Sequence, residues 1–538
     1  MKVFDALVRD ILRERWESSP VTATADGIHD YDDRLDNYDP AYRFAVAARR
    51  KRFLRGLTTI PDEELDLSQR IDKRVLEGAL TSSIHEIDVL QLWRRDPGLY
   101  LRLGLDGMYL LTVRSSAPAS DRADAAVRRA EAFPRLLHEG KRNIRKAPRM
   151  FGELALQIAQ AARGFLRDGL HPFLAPHVGP RADAAVANCE AALDDYIGTL
   201  RGSWLSQDGD EDFAIGRDAY ELILSDRYLL PYDTDQLVEM GEEARRDAVA
   251  QLERVAARMD PHVPWPEVLQ GLKASSPEDV DLMNAYRRGM ERARQFVVDQ
   301  RLVSLPPEES VEIVPTPLFM RPFLPLSGLL RAAPFEQGQR SLFYVTPASS
   351  SAGAHHSTYA IPVSAVHGTY PGHHLQAVVA NRGASAVRKT FGSPVTVEGW
   401  ATYCEQMLRE QGFYPDYATQ LYQVKHRLRR AIGVVLDVRL HTGDMSPAAA
   451  VDYLVQEAQM ERATAVAQVR HHGVLPTHAM SYLIGMQQIM SLRREMQMRS
   501  SAGLSLQLFH DRLLGWGRIP LALAREALLQ DPAFARAA

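Results

Sequence analysis

Helical periodicity runs through most of this 538-residue chain and constrains its fold more than any other feature. Apolar residues recur at three- and four-residue spacing with charged residues between them, which is typical of amphipathic helices. Proline and glycine mark the joints between these stretches. The pattern predicts a mainly α fold, with helices over residues 68–95, 121–146, 181–201, 233–258, 276–302, 417–441, 446–470 and 480–499.

One segment departs from this pattern. Residues 303–363 are rich in proline and lose the helical spacing, and two short runs in them, 311–314 and 342–345, are typical of β-strands. We expect either a small β-sheet or an interdomain linker here. The chain then divides into an N-terminal helical lobe, residues 1–302, and a second lobe, residues 303–538, unless the two form one continuous domain.

Composition indicates a soluble globular protein, with 46% hydrophobic and 25% charged residues and a net charge of −4. This balance does not suggest nucleic acid or an anionic membrane as a partner. Two cysteines give no disulfide framework. The N-terminus lacks the apolar core of a signal peptide, and no window approaches the roughly 20 apolar residues of a membrane span. We therefore expect a cytoplasmic protein, and its oligomeric state stays open.

Three histidines lie close together in the sequence, at His367, His373 and His374. Neutral imidazoles, completed by a carboxylate, are typical ligands of a catalytic zinc ion. On a regular helix the seven residues from His367 to His374 would rise about 10.5 Å, too far for both to bind one ion. Proline and glycine at 371–372 predict a break that folds the chain back. Either His373 or His374 is then the second ligand.

Two glutamates follow, Glu398 and Glu405, which are two helical turns apart and share one helix face. One of them could bind the metal while the other orients a histidine from behind. Further along, Tyr482 lies in an apolar stretch near several histidines. A tyrosine hydroxyl is suited to stabilising a developing oxyanion, although a tyrosine of the core would show the same pattern.

Other residues are candidates for contacts with a substrate. His355, His356 and Tyr359 precede the histidine cluster, and Tyr370 lies inside it. Arg493 could hold a substrate carboxylate with two hydrogen bonds, because its guanidinium is a planar fork.

At these residues the chain resembles a bacterial family known as domain of unknown function 885. Members typically contain the motifs H-E-x-x-P-G-H-H-x-Q, E-G-W-A-x-Y-x-E and Y-x-I-G, and F-H-D near the C-terminus. The matching segments here are residues 367–376, 398–405, 482–485 and 509–511.

That family in turn resembles the mostly helical glutamate zincins, such as the thimet-oligopeptidase-like and Taq-carboxypeptidase-like enzymes. The resemblance implies a zincin-like helical fold with a small sheet near the active-site helix. It also implies that His367, His373 and Glu398 bind Zn²⁺. By the same analogy Glu405 supports a ligand, and Tyr482 stabilises the transition state.

The chain departs from the family at Gly368, where members carry a glutamate. In zincins this side chain is the general base that takes a proton from water. A replacement base could come from Glu405 or His374. The leading expectation is a divergent zinc metallohydrolase that acts on an amide- or peptide-like substrate in a deep cleft. The alternatives are a non-hydrolytic zinc enzyme that tailors a small molecule in specialised metabolism, and an inactive binding scaffold.

Overall fold

The computed structural model of the chain describes residues 2–205, 212–272, 279–347, 356–500 and 504–534. His355 lies outside these residues. The predicted mainly α fold with a small sheet is confirmed. None of the described helices is both long enough and apolar enough to cross a membrane.

The chain forms two compact units. The first comprises residues 1–213, 317–324 and 333–337. Its helices are α1 Lys2–Ser18, α2 Pro20–Asp26, α3 Pro40–Thr58, α4 Leu67–His85, α5 Pro97–Val113, α6 Ala119–Asn143, α7 Arg149–Gly164, α8 His171–Val178 and α9 Pro180–Thr199.

The second unit comprises residues 214–316, 325–332 and 338–538. Its strands are β1 Glu309–Pro315, β2 Ser327–Leu330 and β3 Gln339–Val345. Its helices are α10 Arg217–Leu222, α11 Thr234–Met259, α12 Trp265–Leu272, α13 Asp279–Asp299, α14 Ile361–Gly368, α15 His373–Gly383, α16 Ala386–Thr390, α17 Pro394–Glu410, α18 Tyr417–Thr442, α19 Pro447–Glu457, α20 Arg462–Val474, α21 His478–Arg499, α22 Leu506–Gly515 and α23 Leu521–Leu529.

The expected division at residue 302 is not the one that the structure has. Helix α11 packs along α18, and α13 packs against α14, so both belong with the second half of the chain. Helix α11 approaches α18 closely at Gly241, where an added Cβ would lie only 3.1 Å from the carbonyl oxygen of Ala431. The boundary therefore falls near residue 213 rather than 302.

Several helices of the second unit begin at a side chain that accepts backbone N–H groups. Asp233 caps α11 in a capping box with Gln236, Asp416 caps α18, and Ser446 caps α19. Such caps satisfy amides that have no partner within the helix, and each is typically worth about 1 kcal/mol.

A three-stranded sheet lies in the segment where helical spacing fails, as predicted. Strand β3 is central, parallel to β1 and antiparallel to β2. Its Phe343 pairs with Ile313 on one side and Leu329 on the other. Together with Tyr286 of α13 and Ile361 of α14, these residues form an apolar cluster behind the helix that carries His367.

Candidate metal centre

A tight turn between α14 and α15 brings His367 and His373 together. Their rings meet edge to face with centroids 4.6 Å apart. The turn depends on Gly372, since a Cβ there would lie only 1.9 Å from the carbonyl oxygen of His367. Trp400 of α17 holds the turn from outside by donating its indole N–H to the carbonyl of Pro371 at 2.8 Å. The predicted break between the histidines is therefore present.

Three potential ligand atoms converge at this turn. The Nε2 atoms of His367 and His373 are 3.1 Å apart, and Oε2 of Glu398 lies 3.7 Å and 3.2 Å from them respectively. Two ligands of a tetrahedral zinc ion at 2.0–2.1 Å would be about 3.3–3.4 Å apart. Oε2 of Glu398, one of the converging atoms, is buried without a hydrogen-bond partner among the described residues. The donor set and its spacing therefore fit a zinc ion.

Behind the cluster, Glu405 fixes the orientation of His367. Its Oε1 lies 2.8 Å from Nδ1 of His367, so Nδ1 carries the proton and Nε2 turns its lone pair to the cluster. Glu405 is fully buried and is itself held by Arg430 of α18, whose two terminal nitrogens donate to the carboxylate at 2.7 Å and 2.6 Å. Both oxygens of the Glu405 carboxylate are therefore engaged by Arg430, and Oε1 also contacts His367.

Burial and charge set the protonation of the cluster. Burial lowers the pKa of His373 below its ordinary value, which favours the neutral imidazole that binds metals. Burial acts on His367 too, but its interactions with Glu398 and Glu405 outweigh this and raise its pKa. Burial opposes ionisation of Glu398, yet His373 and His367 hold its pKa well below the usual range. A cation bound by His367, His373 and Glu398 would compete with protons for the same atoms.

Tyr482 of α21 lies against the cluster. Its ring stacks on that of His367 with centroids 6.1 Å apart, and its hydroxyl lies 3.4 Å from Nε2 of His478. Helix α21 approaches α17 so closely that a Cβ at Gly485 would lie 1.9 Å from the carbonyl oxygen of Val395. The glycine of the Y-x-I-G motif therefore positions the tyrosine of the same motif.

His374 does not share the cluster with His373. Its Nδ1 lies 2.8 Å from Oγ of Ser341, and its Nε2 lies 2.8 Å from Oε2 of Glu309. The side chain is fully buried, with both ring nitrogens engaged by the sheet. Because both ring nitrogens are engaged, the structure does not favour the expectation that His374 replaces the missing base.

Phe343 occupies the space beside Gly368. A Cβ at Gly368 would lie 2.0 Å from Cε2 of the Phe343 ring and 2.7 Å from Cδ2, far inside van der Waals contact. The family's glutamate would begin at this Cβ. The structure therefore holds an aromatic ring where that side chain would start, rather than an open space.

Three of the candidate substrate contacts have hydrogen-bond partners within the protein. Both ring nitrogens of His356 are engaged, by the hydroxyl of Tyr286 and the carbonyl of Thr346. The hydroxyl of Tyr370 donates to the buried Glu309, and Arg493 donates to Tyr403 and Glu410. Contact of His356, Tyr370 and Arg493 with a substrate stays a prediction.

Tyr359, by contrast, is partly exposed, and its ring stacks on Tyr422 of α18. Because its side chain is partly exposed, Tyr359 stays a candidate for contact with a substrate.

Sequence reasoning missed two residues of the site, Arg430 and His478. Arg430 is buried on α18, next to the core residues Ala431 and Ile432. Arg430 ends a basic run that also contains Arg427 and Arg429, so the local sequence did not single it out. His478 lies at the start of α21, with Nε2 3.9 Å from Oε1 of Glu398.

The solved structures that share this fold include two described as lipoproteins. One, described as a "putative lipoprotein of unknown function" from Shewanella oneidensis, is 22% identical with a TM-score of 0.79, covering 98% of this chain and 100% of that chain. The other, described as a "putative lipoprotein" from Colwellia psychrerythraea, is 15% identical with a TM-score of 0.74, covering 98% of each chain. At these identities the likeness shows the fold alone.

No curated protein sequence matches the chain significantly. A family profile, described as bacterial protein of unknown function (DUF885), matches residues 20–528. Since that span includes both units and every residue of the candidate centre, the chain belongs to the DUF885 family.

Proposed function

We propose that this protein is a zinc-dependent metallohydrolase that acts on an amide- or peptide-like substrate. The observation that carries the proposal is the convergence of His367, His373 and Glu398, with ligand atoms 3.1 to 3.7 Å apart. Three protein ligands with a fourth position left for water or substrate are typical of catalytic rather than structural zinc. A zinc ion there would polarise a substrate carbonyl and lower the pKa of water.

The residues around the ligands have distinct tasks in this proposal. Glu405 and Arg430 hold His367 in one tautomer, so that its Nε2 stays available. Tyr482 offers its hydroxyl to the negative charge that develops on the substrate oxygen. Burial, together with the nearby Glu398, raises its pKa, so the hydroxyl keeps the proton that it donates.

A hydrolase also needs a group that accepts a proton from water, and Gly368 supplies none. His478 is the candidate that the surroundings favour. Its Nε2 lies 3.4 Å from the Tyr482 hydroxyl and 3.9 Å from Glu398, and its side chain is 25% exposed, so it can reach solvent. Glu405 and His374 are less suitable, because each is fully buried and already paired.

A second function deserves equal testing, namely a non-hydrolytic zinc enzyme that tailors a small molecule. Phe343 favours it, because its ring fills the position from which the family's base would extend. Polarisation of a carbonyl by a metal, with a tyrosine as proton donor, does not require a base at that position.

Zinc content tests the metal centre before any substrate is known. We expect about one zinc per chain, measured by elemental analysis of protein purified without chelator. Glu398→Gln should lower occupancy strongly, whereas Glu405→Gln should weaken affinity by about 10–100-fold. Glu410→Gln is the matched control, since Glu410 is exposed on the same helix and pairs with Arg493.

Less than a tenth of an equivalent in the wild type, unchanged after zinc is added, would refute the metal centre. If zinc binds, a screen of amide and ester substrates separates the two functions. Turnover that stops when zinc is removed supports the hydrolase. Zinc-loaded protein that cleaves none of them supports the tailoring enzyme.

A further inference from the structure

One face of α18 carries polar side chains that the metal centre does not use. Tyr422, His426, Arg429 and Gly433 follow one another at four-, three- and four-residue spacing, so they line one side of the helix. At one end of this face Tyr422 stacks on the partly exposed Tyr359. At the other end Gly433 lies against α20 and α21, where an added Cβ would be 3.8 Å from Cε1 of His472.

The same stretch of α18 reaches the metal centre. Arg430, the residue after Arg429, binds Glu405 behind the ligand His367, and its guanidinium lies 5.5 Å from the centre of the Tyr482 ring. Burial and the adjacent Arg430 lower the pKa of Arg429, while the nearby Tyr482 and Glu405 oppose this shift. The face therefore runs beside the candidate site.

Arg429 and His426 are unpaired on this face. Neither makes a hydrogen bond or an ion pair with any residue in the described ranges, and both are partly exposed. An arginine that is partly withdrawn from water usually has a carboxylate partner, as Arg430 has in Glu405. Burial lowers the pKa of His426 to about 3, so its ring is neutral at physiological pH and Arg429 carries the charge here.

We propose that Arg429, assisted by His426, binds a carboxylate group of the substrate beside the metal centre. The guanidinium fork matches a carboxylate with two parallel hydrogen bonds, and a neutral imidazole can add a third. The substrate would then be an acidic amide, such as an acylated amino acid or the C-terminal end of a peptide. This subsite rests on the proposed function only in assigning the carboxylate to the substrate.

A pair of probes that differ only in charge tests the subsite. N-acetylphenylalanine carries a carboxylate, and N-acetylphenylalaninamide carries a neutral amide in its place. Isothermal titration calorimetry of the zinc-loaded wild type should show that the carboxylate binds about 10- to 100-fold more tightly than the amide, as charged hydrogen bonds typically require. Arg429→Gln should abolish this preference.

Arg427→Gln is the matched control, because Arg427 lies on the same helix but pairs with Asp247 of α11. It should retain the full preference. Circular dichroism and zinc content check that each variant is folded and loaded.

A carboxylate can also bind zinc directly, so the titrations are repeated after the zinc has been removed with chelator. A preference that persists without zinc and disappears in Arg429→Gln supports the subsite. A preference that is unchanged in Arg429→Gln, or that vanishes with the metal, overturns it and leaves the metal centre intact. A wild type that holds no zinc but keeps the Arg429-dependent preference would refute the zinc enzyme without refuting the subsite.

Discussion

Gly368 and Phe343 should be energetically coupled, and this coupling can be measured without knowing the substrate. A Cβ at Gly368 would lie 2.0 Å from the nearest ring carbon of Phe343, whereas carbon atoms in good contact are about 3.5–4.0 Å apart. In Gly368→Ala the Phe343 ring must move away by about 1.5 Å or more. It has little room, since Phe343 is only 2% exposed and packs between Tyr286 and Ile313.

The expected magnitudes follow from this packing. Overfilling a packed core typically costs about 1–3 kcal/mol, so Gly368→Ala should destabilise the protein although alanine is the better helix former. Phe343→Ala leaves a cavity and should cost about 3–5 kcal/mol. In the double variant the new methyl group has space, so its cost should vanish. The two substitutions should then be less damaging together than the sum, by about 1–3 kcal/mol.

Differential scanning calorimetry on the four proteins measures this cycle. Because the chain has two units, the temperature of each transition is compared rather than one free energy of unfolding. Gly368→Ala should lower one transition by about 2–5 °C in the presence of Phe343 and leave it unchanged in its absence. Gly271→Ala is a suitable control, since an added Cβ there meets open space. Strictly additive shifts, or a neutral Gly368→Ala, would refute the packing argument.

Two further predictions concern Tyr482 and His29. With a substrate from the amide and ester screen, Tyr482→Phe should lower kcat by about 10²–10³ while zinc content stays the same. An equal loss of stability would instead mark Tyr482 as a packing residue. In the first unit, a hydrogen bond from His29 to Asp32 and the nearby carboxylate of Glu336 raise the pKa of His29 from 6.5 to about 9. The folded state therefore binds the proton more tightly than the unfolded state, and the stability that this pair contributes is complete below pH 6.5 and lost as pH rises to 9. Because His29 is 30% exposed, we expect about 1 kcal/mol, and His29→Asn should remove this pH dependence from urea unfolding curves.

Helices with a strong apolar spacing were predictable from the sequence alone. The stretch 417–441 became Tyr417–Thr442, and 121–146 became Ala119–Asn143. The stretch 446–470 was wrong in one respect, because it forms two helices separated at Gln459, whose φ of +50° cannot continue a helix. Spacing alone does not reveal such a break, since it records which residues are apolar and not the backbone angles between them.

The sheet shows the same limit. Strands β1 and β3 were predictable from their β-branched and aromatic residues. Strand β2, Ser327–Leu330, was missed, because four residues that include a serine and a glycine carry little strand preference. It forms a strand because β3 offers it a hydrogen-bonded edge.

For the site, local sequence predicted the turn but not the choice between the two adjacent histidines. Successive residues on a helix point about 100° apart, so only one of His373 and His374 can face His367. Ser341 and Glu309 of the sheet engage His374, and those contacts join parts of the chain that are far apart in sequence. The same holds for Arg430, whose partner Glu405 lies on another helix.

In the proposed function, the metal ligands and the general base would make separable contributions. His367, His373 and Glu398 bring three potential ligand atoms within 4.8 Å of one another, and the ring of Tyr482 stacks on that of His367. Attack by water additionally needs a proton acceptor, which Gly368 lacks and which Phe343 would exclude. The proposed hydrolysis would therefore depend on an acceptor outside the family motif, and we propose His478 for this role. A tailoring reaction depends only on polarisation and on a substrate held in one orientation, which a carboxylate bound at Arg429 would provide.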